Sequence, residues 1–274
     1  MNTGFRMRAK FWGVRGSIAT PLEGNLGFGG NTTCIEIRSE DDLFIIDGGT
    51  GVRQLGMAMM AELGGKPCHA KFLLTHFHWD HIQGLPFFTP LYLPTSDVEF
   101  YACRHAAETE KILEDQTTPP YFPECIFAKR SYWEVPVERN FSLGSFQICA
   151  FPLNHPQAAH GFRIEKNGAV IVHASDLEHG DPKYDRILRD HSQNADLLII
   201  DAQYTPEQYE SRKGWGHSTW LEAARVAREC NVKQLVLFHH EPSHDDKMMR
   251  EIVSAARKHF DNTIAAEELS EICI

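Results

Sequence analysis

The sequence has no CxxC pair, no apolar run of membrane-spanning length, no block of clustered lysine and arginine, and no low-complexity or repeated tract. Seven cysteines (Cys34, Cys68, Cys103, Cys125, Cys149, Cys230 and Cys273) are scattered and odd in number. That pattern argues against a disulfide framework and against a thiolate zinc site, and the thiols read as small buried hydrophobes. The opening MNTGFRMRAKFWG lacks the hydrophobic segment of a signal peptide. With no spanning segment either, a cytoplasmic protein without membrane contact is expected. Net charge is −10 with histidine neutral. Broad binding to nucleic-acid backbone is thereby disfavoured, although a local basic pocket is compatible with it. No Pro/Gly/Ser-rich linker separates blocks of different composition, so residues 1–274 are expected to form one domain with a substantial core.

What the chain does contain is a series of short apolar runs, each ending in a polar residue and a turn. Leu43 to Ile46 runs into Asp47-Gly-Gly-Thr-Gly, Phe72 to Leu74 into a histidine cluster, and Phe146 to Phe151 into Asn154-His155-Pro156. Ala169 to Val172 leads to Ser175-Asp176, Leu197 to Ile200 to Asp201, and Leu235 to Phe238 to His239-His240. Continuous apolar runs of this length read as strands buried on both faces. Six strand ends would then present histidine or aspartate to one edge. Helices are expected over Val52 to Leu63, Thr219 to Cys230 and Lys247 to Phe260. Thr219 and Glu222 fit a capping box. Strands mixed with helices make a layered α/β sandwich the natural architecture.

The cluster is His76-Phe77-His78-Trp79-Asp80-His81. In an extended segment residues 76 and 78 point the same way, while Asp80 and His81 enter a turn or helix start. Two imidazoles could hold one cation, and the carboxylate with the third imidazole another. The isolated histidines His69, His105, His191 and His259 carry no such expectation.

THFHWDHIQG resembles the THxHxDHxxG signature of the metallo-β-lactamase superfamily, and later motifs follow in the same order. LNH at Leu153 to His155, ASD at Ala174 to Asp176, LVLFHH at Leu235 to His240 and IIDGGTG at Ile45 to Gly51 are similar to the superfamily's further motifs. The resemblance covers essentially the whole chain and implies a four-layer αββα sandwich with a dinuclear metal site at the sheet edge. By resemblance, His76, His78 and His155 would bind one metal, Asp80, His81 and His239 the second, and Asp176 would bridge them. The all-nitrogen-and-oxygen donor set suits zinc first, with manganese or iron as alternatives. His240 competes with His239 for the last position, and is otherwise placed beside substrate or behind the ligands. Asp47 is expected to hold a metal-bound imidazole by its second nitrogen. Gly29-Gly30-Asn31-Thr32 resembles a loop near the family's active site, and a plain turn fits it as well.

WGHST, from Trp215 to Thr219, lies where phosphodiesterase members related to ribonuclease Z carry a catalytic histidine. The resemblance implies that a metal-bridging hydroxide attacks phosphorus while His217 protonates the leaving alkoxide, with Asp80 and His217 as the catalytic residues. FWGVRGS at Phe11 to Ser17, GGNTT, PPYFP and GWGHST together look like a bacterial branch that includes cyclic-nucleotide phosphodiesterases. No segment resembles the long glycine-rich basic arm with which ribonuclease Z grips transfer RNA. A small phosphodiester, a cyclic nucleotide or cyclic dinucleotide, is therefore expected ahead of structured RNA. Tyr121 and Phe122 would form a lip for the base, and Arg15 could meet a phosphate. A ribonuclease Z-like RNA endonuclease, a thioester or lactam hydrolase and a metal-dependent sensor are the alternatives. The family also makes a homodimer plausible.

Overall fold

The computed structural model describes residues 6–40, 42–123 and 126–274; Cys125 lies outside them. The strands are β1 (Arg8–Gly13), β2 (Cys34–Arg38), β3 (Leu43–Ile46), β4 (His69–Leu74), β5 (Asp97–Ala102), β6 (Lys129–Glu134) and β7 (Asn140–Leu143). They continue with β8 (Phe146–Pro152), β9 (His160–Lys166), β10 (Ala169–Ala174), β11 (Leu197–Asp201), β12 (Gln234–Phe238), β13 (Thr263–Ala265) and β14 (Glu271–Cys273). Two seven-stranded sheets result, ordered β14-β1-β2-β3-β4-β5-β6 and β13-β12-β11-β10-β9-β8-β7. In each, a parallel run (β3 to β6, β10 to β13) continues into antiparallel strands.

The helices are α1 (Val52–Leu63), α2 (Trp79–Ile82), α3 (Ala106–Asp115), α4 (Pro182–Ser192), α5 (Pro206–Tyr209), α6 (Trp220–Glu229) and α7 (Asp246–Arg257). Three apolar clusters separate four layers. Phe44, Phe146, Phe162, Ile171 and Phe238 belong to the one between the sheets. Leu55, Met59, Phe72 and Phe88 join α1 to the first sheet, and Leu188, Ala224, Leu237 and Ile252 join α4, α6 and α7 to the second. The fold is the expected αββα sandwich. Among the described residues no helix is long and apolar enough to cross a membrane.

The six apolar runs are strands, as expected; burial on both faces leaves little room for alternation in most of them, whereas β8 alternates, with Gln147 exposed between buried Phe146 and Ile148. The capping box at Thr219 is only half formed. Its hydroxyl accepts from the Glu222 amide, but the Glu222 carboxylate turns to Arg189 and Arg225, at 2.8 and 2.7 Å. Tertiary partners outweigh the local one here.

Candidate metal centre

The parallel strands β3, β4, β10, β11 and β12 end on one edge, and their next residues converge there. Backbone conformation aims them: Asp47, Asp176 and His239 all have positive φ (59°, 62° and 60°), a left-handed kink that non-glycine residues adopt at a cost. The kink after β12 also separates the histidine pair. His239 turns into the edge, whereas His240 stays buried, donates Nε2–H to the Ala266 carbonyl at 2.8 Å and packs edge-on against Phe28. His240 is therefore not among the donors of the cluster; of the two places expected for it, beside substrate or behind the ligands, its buried contacts agree with the second.

Two groups gather the donors that the sequence singled out: His76, His78 and His155 face one another, and so do Asp80, His81, Asp176 and His239. Two further sets among the described residues, one of His155, Asp176 and His217 and one of Asp201, His217 and His239, bring His217 alongside them. His239 Nε2 lies 3.1 Å from Asp80 Oδ2 and 3.3 Å from Asp176 Oδ1, and His81 Nε2 lies 3.2 Å from Asp176 Oδ2. His76 Nε2 is 3.8 Å from Asp176 Oδ1, which puts that carboxylate between the groups.

The other ring nitrogens are occupied. His81 Nδ1–H donates to Asp47 at 2.7 Å, His155 Nδ1–H to the Gly216 carbonyl at 2.8 Å and His239 Nδ1–H to Gln203 at 2.9 Å. The Thr75 hydroxyl donates to Asp47 and accepts from His76 Nδ1 at 3.0 Å, while His78 turns Nε2 to the Gln157 side-chain oxygen. Each imidazole thus has one nitrogen tied back and one directed inward.

A metal fits what remains. His76 Nε2, His81 Nε2 and Asp176 Oδ2 are buried without hydrogen-bond partners. His155 Nε2 and His78 Nδ1, both left as bare lone pairs by their outer contacts, face each other at 3.3 Å. Facing lone pairs repel unless a cation stands between them. The donor chemistry therefore suits two divalent ions.

Electrostatics differ between the groups. Burial pushes His76 and His155 below the usual imidazole range, keeping them neutral and ready to ligate. Burial also pulls on His81 and His239, but neighbouring carboxylates outweigh it. Asp176, Asp80 and Asp47 hold His81 well above its ordinary value, and Asp176, with Asp80 and Asp201, raises His239 to about 9. Asp80 and Asp176 are held far below the carboxylate range despite burial, by His81 and His239.

The N-terminal motif has a role that the sequence did not assign. The Ser17 amide donates to Asp80 Oδ2 at 2.8 Å, and a Cβ on Gly16 would come within 2.4 Å of the His239 ring. Arg15 is fully buried instead of meeting a phosphate; its guanidinium donates to the carbonyls of Gly29 and His244 at 2.7 and 2.6 Å. Asn31 is tied to Glu268 through its amide and side chain. Tyr121 and Phe122 help line a groove of about 640 Å³ with Phe77, Trp79 and Phe87, residues adjoining the ligand segment.

His217 lies at the same edge, with Nδ1–H donating to Asp201 Oδ2 at 2.9 Å. Asp201 also accepts from the Asp176 and Ser218 amides, at 3.1 and 3.0 Å. Asp201 ended an apolar run in the same manner as Asp176, and that shared pattern was the signal that could have singled it out.

Over residues 44–240 the sequence matches the model of the β-lactamase superfamily domain. The chain belongs to that superfamily. The superfamily fold and the His/Asp cluster together make it a metal-dependent hydrolase. A ribonuclease Z of Thermoplasma acidophilum is 25% identical to it, over 97% of this chain and 95% of the relative. Among solved structures, the metallo-β-lactamase fold protein YhfI of Bacillus subtilis superposes with a TM-score of 0.74 at 21% identity, covering 98% of this chain and 99% of that one. The short form of human tRNase Z does so with a TM-score of 0.72 at 22% identity, covering 97% and 99%. Both solved structures share the overall fold.

Proposed function

We propose that the protein hydrolyses phosphodiester bonds, with RNA cleavage of the ribonuclease Z type as its reaction. The observation that carries the reaction class is the His217–Asp201 pair beside a two-part donor cluster. Similarity to ribonuclease Z along nearly the whole chain supports RNA as substrate and moves it ahead of the small cyclic nucleotide expected from sequence.

In this reading His76, His78 and His155 would hold one divalent ion and Asp80, His81 and His239 the other, with Asp176 lying between the two groups. Zinc suits these donors first, manganese or iron next. Bound divalent ions supply Lewis acidity toward the phosphoryl oxygens and a water acidified toward neutrality. The chain's own contribution is orientation and proton movement. Asp80 is fixed by the Ser17 amide, His81 by Asp47 and His239 by Gln203. Asp201 holds His217 by Nδ1–H, which leaves Nε2 to carry a proton to the departing alkoxide. The aromatic groove beside the ligand segment offers stacking faces for a flanking base.

A second reading keeps the small cyclic diester as substrate. A net charge of −10 without a basic cluster favours it, because RNA binding draws most of its affinity from phosphate neutralisation. One assay separates them: purified protein with counted metal is offered a transfer-RNA precursor bearing a 3′ extension, 2′,3′- and 3′,5′-cyclic nucleotides, and bis(p-nitrophenyl) phosphate. Cleavage at the 3′ junction, abolished by chelation, is the expected result. Turnover of a cyclic nucleotide alone selects the second reading, and survival of every diester in metal-loaded protein sinks both.

A further inference from the structure

Glu178 stands two residues after Asp176 and is not among the donors of the cluster. Its carboxylate nevertheless gathers four hydrogen bonds. The Gly214 amide donates to both oxygens, at 2.7 and 2.9 Å, the Gly216 amide to Oε2 at 3.0 Å, and the Tyr209 hydroxyl to Oε1 at 3.0 Å. Its backbone is tied to the histidine-bearing loop from β8, since the Glu178 amide donates to the Asn154 carbonyl and Asn154 Nδ2 donates back to the Glu178 carbonyl, each at 2.8 Å.

What the carboxylate grips is a loop bent through two left-handed glycines. Gly214 and Gly216 have φ of +85° and +86°, and Trp215 between them is 62% exposed. The grip matters because the Gly216 carbonyl is the group that accepts His155 Nδ1–H, and His217 follows directly. Fit there is tight: a Cβ on Gly216 would lie 2.4 Å from His155 Nδ1.

We propose that Glu178 is a positioning residue that, by clamping the Gly214 and Gly216 amides, fixes the tautomer and orientation of His155 and the placement of His217. The chain of contact runs from Glu178 to the Gly216 amide and across the Gly216 α-carbon to its carbonyl, which meets His155 on one side and joins His217 on the other. Removing the carboxylate frees the glycine's backbone torsions, and with them the direction of that carbonyl. The His155 ring then loses the acceptor that keeps Nε2 directed at His78. The half of the centre built from His76, His78 and His155 is weakened, whereas the Asp80, His81 and His239 half is anchored instead by Ser17, Asp47 and Gln203.

The inference rests on the ligand assignment proposed above, and the test separates the two. Wild type, Glu178→Gln and Glu178→Ala are loaded with zinc, and metal equivalents are counted under graded chelator alongside kcat, KM and thermal midpoint. Two equivalents in the wild type uphold the assignment; any other wild-type count fails the assignment and not the clamp alone. Outer partners of metal-bound histidines commonly govern about 10–100-fold in metal affinity or activity. One equivalent is therefore expected to leave Glu178→Ala at roughly 10–100-fold lower chelator. kcat should fall by a comparable factor while KM stays within about twofold, since the substrate's ground-state contacts are untouched. Glu178→Gln, which keeps one acceptor oxygen, should fall between the two and is the deciding arm if the alanine variant does not fold. Retention of both equivalents by Glu178→Ala at the wild-type chelator range, with unchanged kcat, overturns the proposal. So does parallel loss of both equivalents together with the thermal midpoint, which would mark a general loss of fold.

Discussion

His217 and His239 lie face to face, ring centroids 4.9 Å apart and planes within 22°, with the Asp201 carboxylate 2.9 Å from one Nδ1 and 3.7 Å from the other. One carboxylate therefore hydrogen-bonds the proposed proton donor and acts on a proposed metal ligand through its charge, while Gln203 holds that ligand's Nδ1–H.

That arrangement separates the two roles experimentally. His217→Ala should lower kcat by roughly 10²–10⁴, the usual worth of a general acid, while both metal equivalents remain. Asp201→Asn should also lower kcat, because the amide can present a donor to Nδ1 and select the wrong tautomer. Steady-state kinetics on metal-counted protein checks both. Loss of a metal equivalent in His217→Ala would instead make His217 a ligand.

The two terminal histidines should behave as opposites. His239→Ala is expected to remove one metal equivalent. His240→Ala should keep both and lose about 2 kcal/mol or more of stability, through a cavity and an unsatisfied Ala266 carbonyl. Metal counting with urea unfolding distinguishes them, and metal loss confined to His240→Ala would reverse the assignment.

Gly16→Ala tests the close approach at the N-terminal motif. The added methyl would meet His239 Cε1 and Nδ1, both at 2.4 Å from its ideal position, so that ring must move. Reduced metal affinity with a fold still intact by circular dichroism is the expected outcome. Unchanged affinity would show that the ring position is not critical.

His173 supplies a pH dependence. It is fully buried, neither ring nitrogen has a hydrogen-bond partner, and burial lowers its pKa from 6.5 to about 4, with Asp47 opposing and His81 assisting. The unfolded chain binds this proton first, so the neutral buried ring contributes stability that is whole above pH 6.5 and lost as pH falls toward 4. Integrated over that interval the loss is about 3 kcal/mol. His173→Leu removes the titration. The stability difference between variant and wild type should therefore shift in the variant's favour by that amount between pH 7.5 and pH 4 in urea melts; a constant difference would rule the titration out.

Much of the sandwich was legible because its central strands are dry on both faces, which turns them into unbroken runs such as LFII and LLII. Strands with one wet face or an edge position were not. Lys129–Glu134 (KRSYWE) and His160–Lys166 (HGFRIEK) contain no unbroken apolar run: the first is an edge strand on β5, and the second pairs with its sequence neighbours β8 and β10. The donor cluster was legible for a different reason: imidazoles and carboxylates at the ends of apolar runs have few other uses. What the sequence did not resolve was direction. The choice between His239 and His240 depends on one left-handed φ, and the part played by Asp201 depends on a strand that ends level with β10 and β12.

The left-handed backbone at Asp47, Asp176 and His239 sets heat resistance and chemistry at odds within single residues. Each kink costs of order 1 kcal/mol for a side chain that glycine would relieve, yet at each position glycine deletes the carboxylate or imidazole that the edge needs. A lineage selected for thermal survival alone should therefore drift toward glycine at these three strand ends. It would arrive at a sturdier sandwich with an empty rim.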